Sequence, residues 1–408
     1  MDDKKINLPD CCVACTACIT ACPVTAATHK FRGPKMVGPA QSRLNFAEND
    51  SEASLEYCSN CKNCDIACPS SVPISTLNML ARAKYYETHP HSQRDEMMGH
   101  PEKMSKLVAK IPFGAFFANT GMSVGRTLGM IKVMGLADQR PLPAYSDQTF
   151  ASLFKSKQQP ELEKKIVFFP GCIINYNEPQ IGLDFIDVMN KNGYQVIFDE
   201  NFVCCGSPLV TTGFLNEAKE NAQTNTNLIK QWVDKGYPIL TLCTSCSLMI
   251  KDEYQELFEG EIPDMEENAK HIFDACEFLE ALYQNDQLNE EFGEVSHEFM
   301  YHAPCHLRVQ GIGLPAMELL RLISGVKVTD ADAGCCGISG NYGYKAENYD
   351  LSMKIGNTLF DTVKASGVDT VLTDCGTCRA QIEHGADVKT MHPISILAEA
   401  YHNADLSE

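Results

Sequence analysis

Twenty cysteines lie in this 408-residue chain, and their spacing constrains the fold more than any other feature. Eight of them form one duplicated series. Cys12, Cys15, Cys18 and Cys22 recur 46 positions later as Cys58, Cys61, Cys64 and Cys68. Ten more form a second series. Cys172, Cys204, Cys205, Cys243 and Cys246 recur as Cys305, Cys335, Cys336, Cys375 and Cys378, at offsets of 131 to 133. A register held over such distances implies two copies of one structural unit in each case.

In a small secreted protein this many cysteines would read as a disulfide framework. This chain is large, and Met1-Asp2-Asp3-Lys4-Lys5-Ile6 is followed by no apolar run. No signal peptide is therefore expected, and the cysteines are expected to be reduced thiols in the cytoplasm, where clustered thiolates hold metal. No uninterrupted apolar run reaches the roughly 20 residues that span a bilayer. The formal net charge of −19 argues against a nucleic-acid partner, which would need a basic surface. With 44% hydrophobic and 21% charged residues the chain reads as globular, and its length suggests two or three domains.

The first series has the form C-x2-C-x2-C-x3-C-P in both copies, ending at Cys22-Pro23 and Cys68-Pro69. This is the bacterial ferredoxin run. Three thiolates on one tight turn reach three corners of a cubane, and the fourth, before proline, turns toward the other cluster. Two [4Fe–4S] clusters are expected, one on Cys12, Cys15, Cys18 and Cys68, the other on Cys58, Cys61, Cys64 and Cys22. Zinc would want four ligands in two separated pairs, which these runs do not offer. Cys11 is a spare neighbouring thiol. A linker of about 35 residues separates the runs, and Ser75 to Tyr86 reads as helix, so a helical ferredoxin-like domain is expected over residues 1–84.

The C-terminal half alternates strand and helix signals. Lys165–Phe169, Gln195–Phe198 and Pro238–Leu242 read as strands in the first copy, with helices at Gln180–Asn190 and Asn216–Lys235. His297–His302, Val326–Val328 and Thr370–Thr373 read as strands in the second, with helices at Pro315–Ile323 and Ala346–Ala365. The expected class is mixed α+β and α/β, multidomain: a duplicated α/β cysteine-rich unit over 164–290 and 291–408, with parallel sheets. The cysteines then fall past the carboxyl ends of strands, where open α/β sheets build their sites.

Each copy of the second series carries Cys-Cys-Gly (Cys204-Cys205-Gly206; Cys335-Cys336-Gly337) followed by Cys-x-x-Cys (Cys243 with Cys246; Cys375 with Cys378). Two adjacent cysteines do not both point easily at one small tetrahedral ion, but they suit a larger cluster with bridging thiolates. The neighbouring glycine lets the backbone come close. These repeats resemble the cysteine-rich (CCG) domains of the heterodisulfide reductase B-subunit family. That resemblance implies a non-cubane [4Fe–4S] cluster on Cys172, Cys204, Cys205, Cys243 and Cys246, and another on Cys305, Cys335, Cys336, Cys375 and Cys378. The opposing readings are zinc, or a copy that has lost its metal and packs as core. Cys276 lies outside both patterns and reads as a buried free thiol. His302 and His306 flank Cys305, either as structural histidines or as groups that tune a cluster or relay protons.

The chain from end to end resembles the C-subunit family of anaerobic glycerol-3-phosphate dehydrogenases, on stretches such as Phe169–Asn177, Tyr301–His306, Cys335–Tyr344 and Thr373–Cys378. The resemblance implies an iron–sulfur electron-transfer subunit, with a flavoprotein dehydrogenase subunit and membrane quinone as partners, bound peripherally at the cytoplasmic face of the inner membrane. Iron–sulfur subunits of glycolate and lactate oxidases share the domain order, and a heterodisulfide-reductase-like disulfide reductase is the other reading. A zinc scaffold is a third, non-redox possibility. The chain itself shows no G-x-G-x-x-G after a strand, no nucleophile elbow and no P-loop, so no catalytic residue is assigned and it reads as a wire more than a dehydrogenase. Residues 85–163 contain no cysteine and read as a connector with some helix of its own. Within it, Lys103, Lys106, Lys110, Arg126, Lys132 and Arg140 accompany Met104, Leu107, Val108, Ile111, Phe113, Phe116 and Phe117. That pattern suits either an anionic membrane surface or packing against the ferredoxin domain or a partner subunit.

Overall fold

A computed structural model describes residues 11–44 and 53–407. The N-terminal stretch read for a signal peptide and positions 45–52, within the linker between the two ferredoxin runs, lie outside the described residues. The described chain combines a small-helix N-terminal region with two four-stranded parallel sheets. Strands β1 (Lys164–Phe169), β2 (Tyr194–Phe198), β3 (Ile239–Thr241) and β4 (Ile272–Asp274) form the first, in the order β2-β1-β3-β4. Strands β5 (His297–Tyr301), β6 (Val326–Asp330), β7 (Thr370–Leu372) and β8 (Lys389–Met391) form the second, in the order β6-β5-β7-β8. The register agrees as well: Phe168 pairs with Phe198 and Leu240 in the first sheet, Tyr301 with Asp330 and Leu372 in the second.

In β1 the run Ile166–Phe169 is buried throughout, as a central parallel strand covered on both faces requires. Phe150, from the helix Phe150–Ser156, lies against Phe168 and Phe198 with ring centroids 5.2 and 5.3 Å apart. It sits so close to Gly182 that a Cβ there would meet its ring at 2.5 Å.

The two sheets share one core. One hydrophobic cluster runs through Phe168, Phe185 and Leu240 of the first repeat and Tyr301, Ile396 and Leu397 of the second. The packing is reciprocal. The helix after β4 (Ala275–Gln284) lies on the helix after β5 (Pro315–Leu320), and the helix after β8 (Pro393–Ser407) lies on the helix after β1 (Pro179–Lys191). Each repeat is therefore closed by a helix of the other. Asn192 Nδ2 donates to the Tyr401 hydroxyl at 3.0 Å across this contact.

The connector is a strap rather than a free linker. Its helices Gln93–Gly99, Pro101–Lys110, Gly114–Thr127 and Met130–Val133 run along both repeats. Arg94 pairs with Glu347, Lys345 with Asp95, and His100 with Glu217. A short bridge joins Leu136 to Lys345, and Ala137 N–H donates to Tyr344 O at 2.8 Å. Among the described residues no helix is long and apolar enough to cross a membrane.

Candidate metal centres

The two ferredoxin runs repeat in backbone conformation as well as in sequence. Ala14 and Thr16 have φ of 58° and 69°, and their partners 46 positions on, Asn60 and Lys62, have 52° and 57°. Non-glycine residues in the left-handed region are strained, and such strain collects where a site dictates the backbone. Here it turns the loop so that successive thiols face inward.

Two thiol groups result. Burial raises the Cys18 thiol, and Cys12, Cys15 and Cys68 next to it raise it further. Cys22, Cys58, Cys61 and Cys64 line a small cavity with Val24, Phe31, Pro34, Asn60, Lys62 and Ser75. Each group takes three cysteines from one run and the pre-proline cysteine from the other. Two donors aim at sulfur: Asn78 Nδ2 lies 3.5 Å from Cys58 Sγ, and Val72 N lies 3.4 Å from Cys68 Sγ. Four thiols around one cavity, with an amide donor toward one of the sulfurs, fit a cubane. Cys11 is exposed and belongs to neither group.

The ten remaining series cysteines form two further groups at the carboxyl edges of the sheets. Cys172 and Cys243 follow β1 and β3, the strands between which the winding reverses, and Cys204 and Cys205 follow β2. In open α/β sheets that reversal is where ligands bind. Cys305, Cys335, Cys336 and Cys375 repeat the arrangement, with Cys336 Sγ 3.2 Å from Cys378 Sγ. Gly171, at φ 64°, is required in the first group, since a Cβ there would stand 2.8 Å from Cys246 Sγ. Hydrogen bonds from Cys172 and Cys205 hold the Cys204 thiol well below the usual thiol range, and Cys305 and Cys336 do the same for Cys335. The Cys378 hydrogen bond brings Cys375 down to about 5. Thiols gathered in this way supply soft sulfur donors, which suit iron–sulfur clusters.

The groups adjoin in series. Cys61 of the second ferredoxin group feels the charge of Cys335, and Cys305 feels that of Cys61. Cys243 in turn feels Cys375, and the buried Arg379 guanidinium feels both. Arg379 pairs with Glu178 and donates to Thr373 O at 3.0 Å.

His302 and His306 part company. His306 is a tie: its Nδ1 lies 2.8 Å from Ser245 Oγ and its Nε2 3.0 Å from Asn60 O, linking the first CCG group to the second ferredoxin loop. His302 is buried, with a ring nitrogen, Cys336 Sγ and Cys378 Sγ all within 4.8 Å of one another. Burial lowers its pKa to about 4. Cys276 is buried beside Asp274 and Asp374.

Sequence reasoning overlooked Lys62. Although charged, it is buried, with its ammonium 3.3 Å from Glu253 and 3.1 Å from Glu256. It pins the Cys61–Cys64 loop onto the first repeat. Its only sequence signal is a lysine inside a cysteine run.

The 4Fe–4S dicluster domain family matches residues 9–72, and the Cysteine-rich domain family matches residues 166–251 and 299–383. The chain is 38% identical over 395 residues to the C-subunit of anaerobic glycerol-3-phosphate dehydrogenase from Escherichia coli K12, covering 95% of this chain and 98% of that one. The B-subunit of fumarate reductase (CoM/CoB) from Methanothermobacter marburgensis is 26% identical over 98% of this chain and 73% of its own. The D-subunit of dihydromethanophenazine:CoB–CoM heterodisulfide reductase from Methanosarcina acetivorans is 26% identical over 96% and 93%. With a 4Fe–4S dicluster domain, two cysteine-rich domains and this end-to-end identity, the chain belongs to the C-subunit family of anaerobic glycerol-3-phosphate dehydrogenases.

Proposed function

We propose that this chain is the iron–sulfur subunit of an anaerobic glycerol-3-phosphate dehydrogenase, carrying electrons from a flavoprotein subunit to membrane quinone. The observation that carries the reading is the gathering of the series cysteines into thiol groups within a chain 38% identical, end to end, to such a subunit. Cys12, Cys15, Cys18 and Cys68 hold one cubane, and Cys58, Cys61, Cys64 and Cys22 the other. The two CCG groups, Cys172, Cys204, Cys205, Cys243 and Cys246, and Cys305, Cys335, Cys336, Cys375 and Cys378, hold the remaining clusters. Iron–sulfur clusters supply one-electron steps, which divide the two-electron oxidation performed by a flavin.

The protein's own groups bind, insulate and order the centres. Val24 and Phe31 give the second ferredoxin group part of an apolar wall. The proximity of Cys61 to Cys335 and Cys305, and of Cys243 to Cys375, supports the order second ferredoxin group, second CCG group, first CCG group.

The membrane is reached through the strap. Phe113 is 80% exposed, Phe117 63%, Leu128 67% and Val133 90%, within and at the ends of the helices Gly114–Thr127 and Met130–Val133. Arg126 and Lys132 lie on these same helices and Lys103, Lys106 and Lys110 on the preceding one, Pro101–Lys110, in a chain of net charge −19. Apolar side chains among cations suit insertion into the headgroup layer of an anionic bilayer.

The test is anaerobic mixing of the purified chain with a flavoprotein glycerol-3-phosphate dehydrogenase. Adding glycerol 3-phosphate should bleach the visible iron–sulfur absorption, and quinone should restore it. A flavoprotein that turns over with an artificial acceptor yet leaves the absorption unchanged would refute the assignment.

A further inference from the structure

Arg140, in the strap, is 1% exposed, and no carboxylate pairs with it among the described residues. Its Nη1 donates to Gly343 O at 2.7 Å, while Nη2 reaches Met353 Sδ at 3.3 Å and Ser352 Oγ at 3.4 Å. Its Nε has no partner among the described residues. The rings of Tyr344 and Tyr349 flank the guanidinium, with centroids 5.5 and 5.3 Å away. The chain closes tightly over it, since a Cβ on Gly343 would stand 2.6 Å from Nη1.

A buried cation without an anion is strongly disfavoured, and two rings and one good hydrogen bond offset only part of that. The other buried arginines are better served. Arg379 has Glu178, and Arg82 donates to three carbonyls, those of Leu55, Cys58 and Thr211. Among the described residues Arg140 has no carboxylate and a single carbonyl, that of Gly343.

What it does have is the second CCG group. Gln381 Nε2 donates to Cys336 O at 2.8 Å and also contacts Ser352 Oγ and Met353 Sδ, the two atoms Arg140 Nη2 reaches. One polar layer thus separates the guanidinium from Cys336, and Tyr344 lies in the field of both Arg140 and Cys375. The first CCG group has a different neighbour. There the Cys204 N–H donates to Glu102 Oε2 at 2.9 Å, and Glu102 is paired with Lys106, a half-exposed cation that water screens.

We propose that Arg140 is the fixed counter-charge of the second CCG centre, stabilising the added electron on the group held by Cys305, Cys335, Cys336, Cys375 and Cys378, and making this centre easier to reduce than its twin. The proposal rests on the reading that both CCG groups hold iron–sulfur clusters. Arg140 acts as a positioning residue: it touches no cysteine sulfur and acts through its field.

The test is an EPR-monitored redox titration of the full chain, purified anaerobically and reduced with dithionite in the presence of mediators. The second CCG signal is identified as the one lost in Cys336→Ser. In Arg140→Gln that signal should lose at least tenfold in its reduction equilibrium, a fall of about 59 mV for one electron, while the other signals stay in place. Arg140→Lys should keep more than half of the wild-type preference. Loss of iron in Arg140→Gln alone, with Arg140→Lys loaded, also supports a need for charge. A Cys336-dependent signal that moves less than twofold in Arg140→Gln overturns the proposal alone. A wild-type protein with no Cys336-dependent signal overturns the reading of the site and the proposal with it. Loss of fold in both Arg140 variants assigns the residue to packing and overturns it too.

Discussion

Replacing Lys62 with methionine tests how the second ferredoxin loop is held. The ammonium stands 3.1 Å from Glu256 and 3.3 Å from Glu253, with Asp65 at 3.9 Å. At an effective dielectric constant of about 20, each of the two shorter contacts is worth about 5 kcal/mol before desolvation is charged against it. Most of that is consumed in burying the ions. Removing one partner, however, leaves the other uncompensated, so a net loss of roughly 3–5 kcal/mol is expected. Burial alone would lower the Lys62 pKa, but Glu253, Glu256 and Asp65 overcome it and raise the pKa above the ordinary lysine value. A base raised on folding contributes its stability in full below the unfolded pKa, so the effect of Lys62→Met should be constant from pH 6 to 9 and fade only above about 10. The assay is urea unfolding of the anaerobic protein, followed by fluorescence and by loss of the iron–sulfur absorption. The double variant Lys62→Met/Glu253→Gln should recover part of the loss, because it removes the stranded carboxylate. A single variant within 1 kcal/mol of wild type, or a double variant worse than the single, would refute the account.

Gly171→Ala forces a left-handed alanine with its Cβ 2.8 Å from Cys246 Sγ, so iron bound by the first CCG group should be lost while the ferredoxin EPR signals persist. Phe150→Ala empties a fully buried ring site on the first sheet and should lower stability by roughly 3–5 kcal/mol in thermal or denaturant unfolding. Phe113→Ser/Phe117→Ser/Val133→Ser should abolish co-sedimentation of the full chain with anionic vesicles and leave its reduction by a flavoprotein partner in solution intact; unchanged sedimentation would rule out this face as the membrane contact. His392 is buried with its Nε2 3.0 Å from Leu242 O, and burial lowers its pKa to about 3. A histidine kept neutral by folding loses stability as pH falls below the unfolded value near 6.5, so about 2 kcal/mol should disappear between pH 7 and 5. His392→Gln should flatten that slope in paired denaturation curves, and equal slopes would contradict it.

The sequence spoke most clearly where chemistry is local. Cysteine spacing grouped Cys12, Cys15 and Cys18 on one turn, and β-branched and aromatic runs such as Ile166–Phe169 announced buried strands. Strands β4 and β8 went unread, because Ile272–Asp274 and Lys389–Met391 are three residues each and take their strand character only from neighbours already in place. The crossed packing of the closing helices was equally invisible, since amphipathic patterning shows that a helix has a partner but not which one. The buried cations Lys62, Arg140 and Arg379 look in sequence like ordinary surface residues. Only the fold brings Glu253, from 191 positions away, to Lys62, or closes Gly343 over Arg140. The histidines beside Cys305 show the same limit: identical in sequence terms, one ties two loops together and the other faces the thiols.

The exchange of closing helices has a consequence for electron traffic. Two lobes joined only by a linker would swing, and the gap an electron must tunnel across would fluctuate with every swing. Here neither lobe can be completed without the other, so Cys243 and Cys375 acquire their spacing at the moment the chain folds. Cutting the chain between the lobes should therefore yield two insoluble halves rather than two smaller carriers.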